Sequence, residues 1–179
     1  MSPVLTIEEA KPFHCGRMAR RLRREHAQAL VSIGLDPHQQ IRRVFQSSSV
    51  RKVAFLDGEL AAMGGVVGTL ASPFGGVWLL LSNEICRHPR LVLEKAREQL
   101  EGLLGTRIEL YTSLLLSDPA AVRFAVRLGF HRDYEGGRGA AVSAAGRRAL
   151  VRYLESDPEI RVPIGSSFAV AVGYHREEA

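Results

Sequence analysis

The stretch DPAAVRFAVRLGF, residues 118–130, decides the fold of this chain. It predicts a short helix that starts just after Pro119, because proline suits the first turn and the apolar residues recur at helical spacing. Gly129 predicts the end of that helix, since glycine readily adopts the left-handed conformation that closes one. Phe130 is then expected to enter the core, at the start of a strand FHRDYE.

The two segments before this helix predict buried strands joined by another helix. GVWLLLS (76–82) is almost continuously apolar, as in a strand that is covered on both faces, and RIELYTSLLL (107–116) is predicted as another buried strand. RHPRLVLEKAREQLEGLLG (87–105) lies between them, and its leucines recur on one side of a helix that Gly105 would close.

The first third of the chain predicts a strand, two helices and a hairpin. The strand covers 4–8, the first helix 12–32, and the second helix starts with Asp36 as N-cap and Pro37 at its first position. Asp57-Gly58 separates two apolar runs and predicts a two-residue hairpin turn. Glycines at 64, 65 and 68 indicate a bulge or a close backbone approach in the second strand of the hairpin.

These elements predict an α/β (α+β) single domain with a mixed central sheet flanked by helices, in the order β-α-α-β-β-β-α-β-α-β. We expect the domain to span residues 1–135. Residues 136–179 are predicted as a C-terminal extension that completes the same domain. It would contain a flexible linker, a short helix in RRALVRYLES (147–156) and a last strand in SSFAVAVGY (166–174).

Composition points to an ordinary globular protein. The chain has 179 residues, of which 46% are hydrophobic and 24% charged, and two distant cysteines without metal-ligand spacing. No apolar run reaches the roughly 20 residues of a membrane span, and the N-terminus does not have the organisation of a signal peptide. We therefore expect an intracellular soluble protein with no membrane contact and no metal.

A basic stripe is predicted in RMARRLRREH (17–26), where Arg17, Arg20, Arg21 and Arg24 share one helix face. Such a stripe is either a solvated surface or a contact for phosphate or an acidic partner. No aromatic side chain is interleaved to stack on bases, so sequence-specific recognition of nucleic acid is not supported.

The motif at 118–130 resembles that of the general N-acetyltransferase (GNAT) superfamily, in which a helix N-x-x-A-x-x-x-Y-x-K/R-x-G-F leads into a strand. Asp118 stands at the Asn place, Ala121 at the Ala place, Arg127 at the basic place, and Leu128-Gly129-Phe130 completes the motif. The resemblance implies the GNAT fold, acetyl-CoA as the acyl donor and an amine as the acceptor.

A narrower resemblance covers most of the chain to about Glu135. RREHAQALVSIGLDPHQQIRRVFQSSS, AFLDGELAAMGGV and VWLLLSNE are similar to small podovirus proteins of the gene-thirteen-product type. That likeness implies a phage protein, located in the virion or the host cytoplasm. Its partners would be other phage structural proteins, or further copies of itself in a homo-oligomer.

The GNAT resemblance places the cofactor between the fourth and fifth strands. The family's glycine-rich pyrophosphate turn would fall in SNEICRHPRLVLEK (82–95), which contains no glycine, so cationic side chains are expected to replace it. The predicted cofactor-binding residues are Leu80, Leu81, Ser82, Asn83, Arg87, His88, Arg90 and Asp118.

The catalytic residues are predicted from the same resemblance. Ala125 occupies the place of the family's proton-donating Tyr, so Tyr111 on the preceding strand or Tyr134 on the following one is the candidate general acid, with an alternative role for each as a partly buried strand aromatic. Glu84 is the candidate general base, with an alternative role as a cap or loop residue. Two functions stay open: an acetyl-CoA-dependent N-acyltransferase, and a non-catalytic virion or assembly component that uses the fold as a scaffold.

Overall fold

The computed structural model of the chain describes residues 3–32, 34–71, 74–104, 109–115, 118–130, 141–142 and 148–154. Seven strands form one sheet in the order β1-β2-β3-β4-β5-β7-β6. The strands are β1 Leu5–Glu9, β2 Ser48–Leu56, β3 Glu59–Val67, β4 Phe74–Leu81, β5 Glu109–Leu115, β6 Ala141–Val142 and β7 Arg148–Leu154. The helices are α1 Pro12–Arg21, α2 Arg24–Ser32, α3 Pro37–Gln46, α4 Pro89–Leu104 and α5 Pro119–Leu128.

The sheet is mixed, as the sequence predicts. β1 to β4 pair antiparallel, β4 pairs parallel with β5, β5 pairs parallel with β7, and β6 pairs antiparallel with β7. The hairpin between β2 and β3 turns at Asp57 and Gly58, where φ is 51° and 84°. These positive values are those that a two-residue hairpin turn requires, which confirms the prediction.

Helices cover both faces of the sheet. Helices α1 and α3 pack on one face, against Val53, Met63, Trp78 and Leu80. Helices α4 and α5 pack on the other face, where Val66, Val77, Leu110 and Leu114 lie. No helix in the described ranges is long and apolar enough to cross a membrane.

The helix of the deciding stretch forms as predicted. Its N-cap is Asp118, whose side chain accepts a hydrogen bond from the Ala121 N–H, and its C-cap is Gly129 with φ 97°. Phe130 follows in the core with 3% exposure. Helix α3 likewise starts at Pro37, and its N-cap Asp36 accepts a hydrogen bond from the Gln39 N–H at 2.7 Å.

Two sequence predictions are wrong. The segment 12–32 is not one helix, because it breaks at Leu22, which is extended (φ −53°, ψ 136°) and forms an isolated β-bridge with Ser82. The predicted helix at 147–156 is instead strand β7, which pairs with the whole length of β5. The predicted strands at 130–135 and 166–174, and Gly105, lie outside the described residues, apart from Phe130.

Candidate functional site

Strands β4 and β5 pair only at their first residues. The parallel pairs are Phe74 with Glu109, Gly75 with Leu110 and Gly76 with Tyr111. Beyond Gly76, β4 pairs with no other strand of the described residues on this side, while the whole of β5 pairs with β7 on the other. The two strands therefore separate towards their carboxyl ends, and we call the opening between them the β4–β5 cleft.

Along β4, the backbone N–H and C=O groups of every second residue point towards this cleft. The Ser82 N–H donates to the Ala61 carbonyl at 2.8 Å, so Ser82 faces β3. Because backbone direction alternates along a strand, Leu81 faces the cleft. There its carbonyl accepts a hydrogen bond from the Arg23 N–H at 2.8 Å. The junction between α1 and α2 thus occupies the carboxyl end of this edge, which explains why the predicted long helix breaks.

The narrow end of the cleft holds a polar group and an aromatic ring. Thr112, the first residue of β5 beyond its pairs with β4, is buried, and its hydroxyl has no hydrogen-bond partner in the described part of the chain. Leaving such a hydroxyl unpaired costs free energy, and Thr112 shares its face of the strand with Leu110 and Leu114 of the core beneath α4 and α5. Tyr111 packs its ring over Gly76, about 3.3 Å from where a Cβ would lie.

A cavity of about 170 Å³ lies where the cleft opens, and we call it the mouth cavity. It is bounded by α2, the end of β4, the 3-10 turn Ile85–Arg87 and the first turns of α4 and α5. Its lining residues are Arg23, His26, Leu81, Cys86, Pro89, Val92, Ala120, Ala121 and Phe124.

Charges in the mouth cavity are arranged around a buried ion pair. The Arg23 guanidinium contacts the second carboxylate oxygen of Asp118, and the two side chains are only 13% and 7% exposed. His26 lies beside them, and its burial lowers its pKa to about 4, with a further lowering from Arg23. Cys86 is exposed as a residue, but partial desolvation raises the pKa of its thiol, which is protonated at neutral pH.

The loop that leads from β4 into α4 consumes several of its own N–H groups. The Ile85 N–H donates to the Ser82 hydroxyl at 3.3 Å, and the Arg87 and His88 N–H groups donate to the carbonyls of Glu84 and Ile85 at 3.1 and 2.9 Å. Pro89 has no N–H to offer. The backbone nest that typically binds pyrophosphate is therefore not formed, and the anion-attracting groups that remain are the α4 N-terminus and its cations.

The predicted cofactor-binding residues fall into three groups. Leu80 and Ser82 are buried in the structure, whereas Leu81 lines the mouth cavity. Arg87 and Arg90 are exposed at the start of α4, with the half-buried His88 between them, and Asn83 accepts a hydrogen bond from the Arg24 N–H at 3.4 Å. Asp118 is close to the cleft, but one carboxylate oxygen caps α5 and the other binds Arg23.

The predicted catalytic residues lie at different depths. Glu84 is 54% exposed beside the 3-10 turn, 3.9 Å from an Arg21 nitrogen. Hydrogen bonds from its own backbone N–H and from the Ser82 hydroxyl lower the pKa of Glu84, with smaller contributions from Arg21 and Arg87. Tyr111 lies at the narrow end of the cleft and Glu84 at the wide end, past the last residue of β4.

Of the nine residues that line the mouth cavity, the sequence predicted only Leu81 as a binding residue, and the polar residues Arg23, His26 and Cys86 were not predicted. Arg23 and His26 were placed on a continuous helix, and only the break at Leu22 brings them to the cleft. No local signal marks that break, because the segment contains neither proline nor a glycine near it. Phe124 lies on the same helix face as Ala120 and Ala121, four and three residues before it, so these three residues line the cavity together.

The described residues contain no group of three or more His, Cys, Asp or Glu side chains that could hold a metal ion.

The basic stripe is interrupted by the helix break at Leu22, since Arg17, Arg20 and Arg21 lie on α1 and Arg24 lies on α2. Arg21 binds Glu59 at 2.5 Å. The predicted continuous face of four arginines is therefore wrong.

No protein-family profile and no curated protein matches the sequence. Solved structures do match the fold. A GNAT-family acetyltransferase from Streptococcus pneumoniae is 18% identical, with a TM-score of 0.50 over 78% of this chain and 90% of that one. The ribosomal-protein-S18-alanine N-acetyltransferase from Escherichia coli is 15% identical, with a TM-score of 0.51 over 81% of this chain and 88% of that one.

A third structure, from Clostridium difficile 630, bears the name of a possible acetyltransferase and is 9% identical, with a TM-score of 0.52 over 78% of this chain and 99% of that one. At these identities the likeness concerns the fold. The mixed sheet with helices on both faces therefore matches the fold of the GNAT acetyltransferases.

Proposed function

We propose that the protein is an N-acyltransferase that binds acyl-CoA in the β4–β5 cleft and transfers the acyl group to an amine. The observation that carries this proposal is the separation of the two strands beyond Gly76 and Tyr111. An unpaired strand edge binds extended ligands that carry amide groups, as an added strand does. The pantetheine arm of CoA is such a ligand, because it is linear and contains two amides.

The phosphate end of CoA would lie at the start of α4. The first-turn N–H groups of Arg90 and Leu91 have no partner within the helix, and the helix dipole favours an anion there. Arg87 and Arg90 are exposed beside them and make no ion pair among the described residues. These cations would replace the backbone nest that the glycine-free loop lacks.

The reaction needs one proton removed and one supplied. The amine nitrogen attacks the thioester carbon, a C–N bond forms and the C–S bond breaks, and the thiolate of CoA takes a proton. We assign Tyr111 to the protonation of the thiolate. Glu84 lies beyond the carboxyl end of β4, more than five strand residues or roughly 16 Å from Gly76. The proton of the amine therefore passes to solvent, and Glu84 acts on the approaching amine at the wide end of the cleft. The lowered pKa of Glu84 keeps it ionised and able to accept a hydrogen bond, but makes it a weak base.

These roles predict unequal effects of substitution. Tyr111→Phe should lower kcat about a hundredfold, because general acid catalysis typically contributes at least that much. Glu84→Gln should lower kcat much less than Tyr111→Phe, because Glu84 lies at the wide end of the cleft, away from the thioester. Release of free CoA from acetyl-CoA, with a panel of amines as acceptors, measures both. Equal activity of Tyr111→Phe and the unchanged protein would exclude Tyr111 as the acid.

Binding of the donor can be tested without knowing the acceptor. Acetyl-CoA at millimolar concentration should raise the unfolding midpoint, because a ligand that binds only the native state stabilises it. Arg87→Ala combined with Arg90→Ala should weaken binding about tenfold or more, whereas Arg43→Ala, exposed on α3, should leave it unchanged. An unshifted midpoint at millimolar acetyl-CoA would overturn the proposal.

The non-catalytic virion role remains a prediction from the sequence, since no described feature favours it over the enzyme.

A further inference from the structure

A second and larger cavity lies on the face of the sheet that α4 covers. Its volume is about 270 Å³, and it runs between α4 and strands β1 to β4. Its residues are largely apolar, and we call it the α4 groove. It shares no residue with the α1–α2 junction and includes neither Gly76 nor Tyr111 of the narrow end of the β4–β5 cleft, so the proposed chemistry does not account for it.

The groove is open because both of its surfaces use small residues. One row across the sheet places Ala54 opposite Ala62, and the next row places Gly64 between Lys52 and Leu79. The facing side of α4 contributes Ala96 and Gly102. Larger side chains at these positions would fill the space, as they do in ordinary cores, where voids larger than a water molecule are few.

The shape of the groove fits a hydrocarbon chain. It follows α4 from Val92 to Leu103, roughly 16 Å at the helical rise, which matches an extended chain of about a dozen carbons. Lys52 and Lys95 line it too, and such side chains place their methylene stems along apolar surface while the ammonium stays in water. Glu98 binds the Lys95 ammonium at 2.6 Å, so the polar groups at the rim are partly neutralised.

The groove adjoins the mouth cavity. Leu81 and Val92 line both, so the two spaces are separated by a wall of these side chains. Rotation of a leucine side chain between staggered conformers is a small rearrangement. Val77, which follows Gly76 at the narrow end of the cleft, also lines the groove, so an acyl chain on a thioester beside Tyr111 starts next to the groove.

We infer that the donor is a medium- or long-chain acyl-CoA, whose hydrocarbon chain lies in the α4 groove while its CoA part lies in the β4–β5 cleft. This inference rests on the proposed function. It narrows the substrate class from acetyl-CoA to donors with about a dozen acyl carbons.

The test compares dodecanoyl-CoA, acetyl-CoA and free dodecanoate in calorimetric titrations, below the concentrations at which the long-chain compounds form micelles. Dodecanoyl-CoA should bind at least tenfold more tightly than acetyl-CoA. Ala96→Leu fills the groove and should abolish this preference while leaving the affinity for acetyl-CoA unchanged. Glu94→Leu adds the same side chain at an exposed position of α4 and should preserve it.

The outcomes separate the inference from the proposed function. If both CoA compounds bind equally, the proposed function stands and the inference is overturned. If neither CoA compound binds, the proposed function fails and the inference fails with it, whether or not dodecanoate binds. If Ala96→Leu keeps the tenfold preference, the chain lies outside the α4 groove and the inference is likewise overturned.

Discussion

Arg23 and Asp118 determine how the start of α2 is held against α5. The Asp118 carboxylate makes two contacts. One oxygen accepts a hydrogen bond from the Ala121 N–H and caps α5, and the other binds the Arg23 guanidinium. The pair is the most buried ion pair in the described ranges. A buried charge that loses its partner is costly, because neither water nor another ion replaces the lost contact.

We therefore expect Arg23→Ala to lower the free energy of unfolding by about 3–5 kcal/mol, the usual effect of breaking a buried pair by removing one partner. Urea denaturation measures this. The adjacent Arg24→Ala, at an exposed position, should change it by less than about 0.5 kcal/mol. Equal effects of the two substitutions would show that the Arg23–Asp118 contact does not stabilise the fold.

Contacts between residues that are far apart in the chain, such as that of Arg23 with Asp118, are the part of the site that the sequence could not predict. Asp118 was identified from its motif, but its partner lies 95 positions away in the chain. The residues Glu84, Arg87 and Arg90 could be located because they follow a recognisable buried strand. Arg23 could not be located from the sequence, because its position depends on a β-bridge between Leu22 and Ser82 that no local sequence pattern indicates.

Strand β3 contains a glycine, Gly65, that cannot carry a side chain without a clash with the backbone of strand β2. A Cβ on Gly65 would lie 2.0 Å from the Val50 carbonyl oxygen of β2, a backbone atom that cannot move aside alone. The register between the two strands shifts between Ser48 and Val50, which brings this carbonyl close. The sequence prediction of a close backbone approach at the glycines of β3 is confirmed at this position.

Gly65→Ala should consequently destabilise the protein by more than about 2 kcal/mol, through backbone displacement in the β2–β3 pair. Gly102→Ala in α4 is the matched control, because a Cβ there would meet nothing within 4 Å. That substitution should stabilise by roughly 0.5–1 kcal/mol, since alanine favours helix more than glycine does. Thermal or urea unfolding of both variants gives the comparison, and effects of the same sign would contradict it.

The ends of helices and the hairpin turn could be predicted from the sequence where a single residue type determines the local backbone conformation. Asp36 and Pro37 start α3, Asp57 and Gly58 turn the hairpin, and Gly129 ends α5. The prediction failed for 147–156, where a strand replaces a helix. Parallel pairing with β5 decides that segment, and such pairing depends on contacts far along the chain rather than on local preference.

At the scale of the whole molecule, the sheet explains both the likeness to acetyltransferases and the two cavities. β4 pairs with β3 from Gly76 to Leu81 but with β5 only from Phe74 to Gly76, so the sheet opens at its centre. The sequence predicted the mixed sheet and a site at this place. It could not predict that α2 would enter the opening and bring a buried histidine with it.

That histidine couples global stability to pH. His26 is 4% exposed, and its pKa falls from the ordinary 6.5 to about 4, because burial disfavours the charged form and Arg23 repels it. Asp118 acts in the opposite direction, and Cys86, which lines the same cavity, is neutral. Below pH 6.5 the unfolded chain binds a proton at this position that the folded chain refuses, so stability falls as pH falls.

The contribution of His26 to the free energy of unfolding should be fully present above pH 6.5 and should be lost as the pH falls from 6.5 to about 4. The total loss should amount to roughly 3 kcal/mol. Its measure is the free energy of unfolding between pH 7.5 and 4. His26→Gln should flatten this dependence, whereas His38→Gln, exposed on α3, should preserve it. His14, whose pKa burial also lowers, is present in both variants and cancels in the comparison.

An NMR titration of the His26 ring in the folded protein gives an independent value that does not depend on the stability of any variant. A midpoint near 4 is expected. A midpoint near 6.5 would mean that the ring reaches water, and that α2 does not close the mouth cavity as the Arg23–Asp118 contact implies.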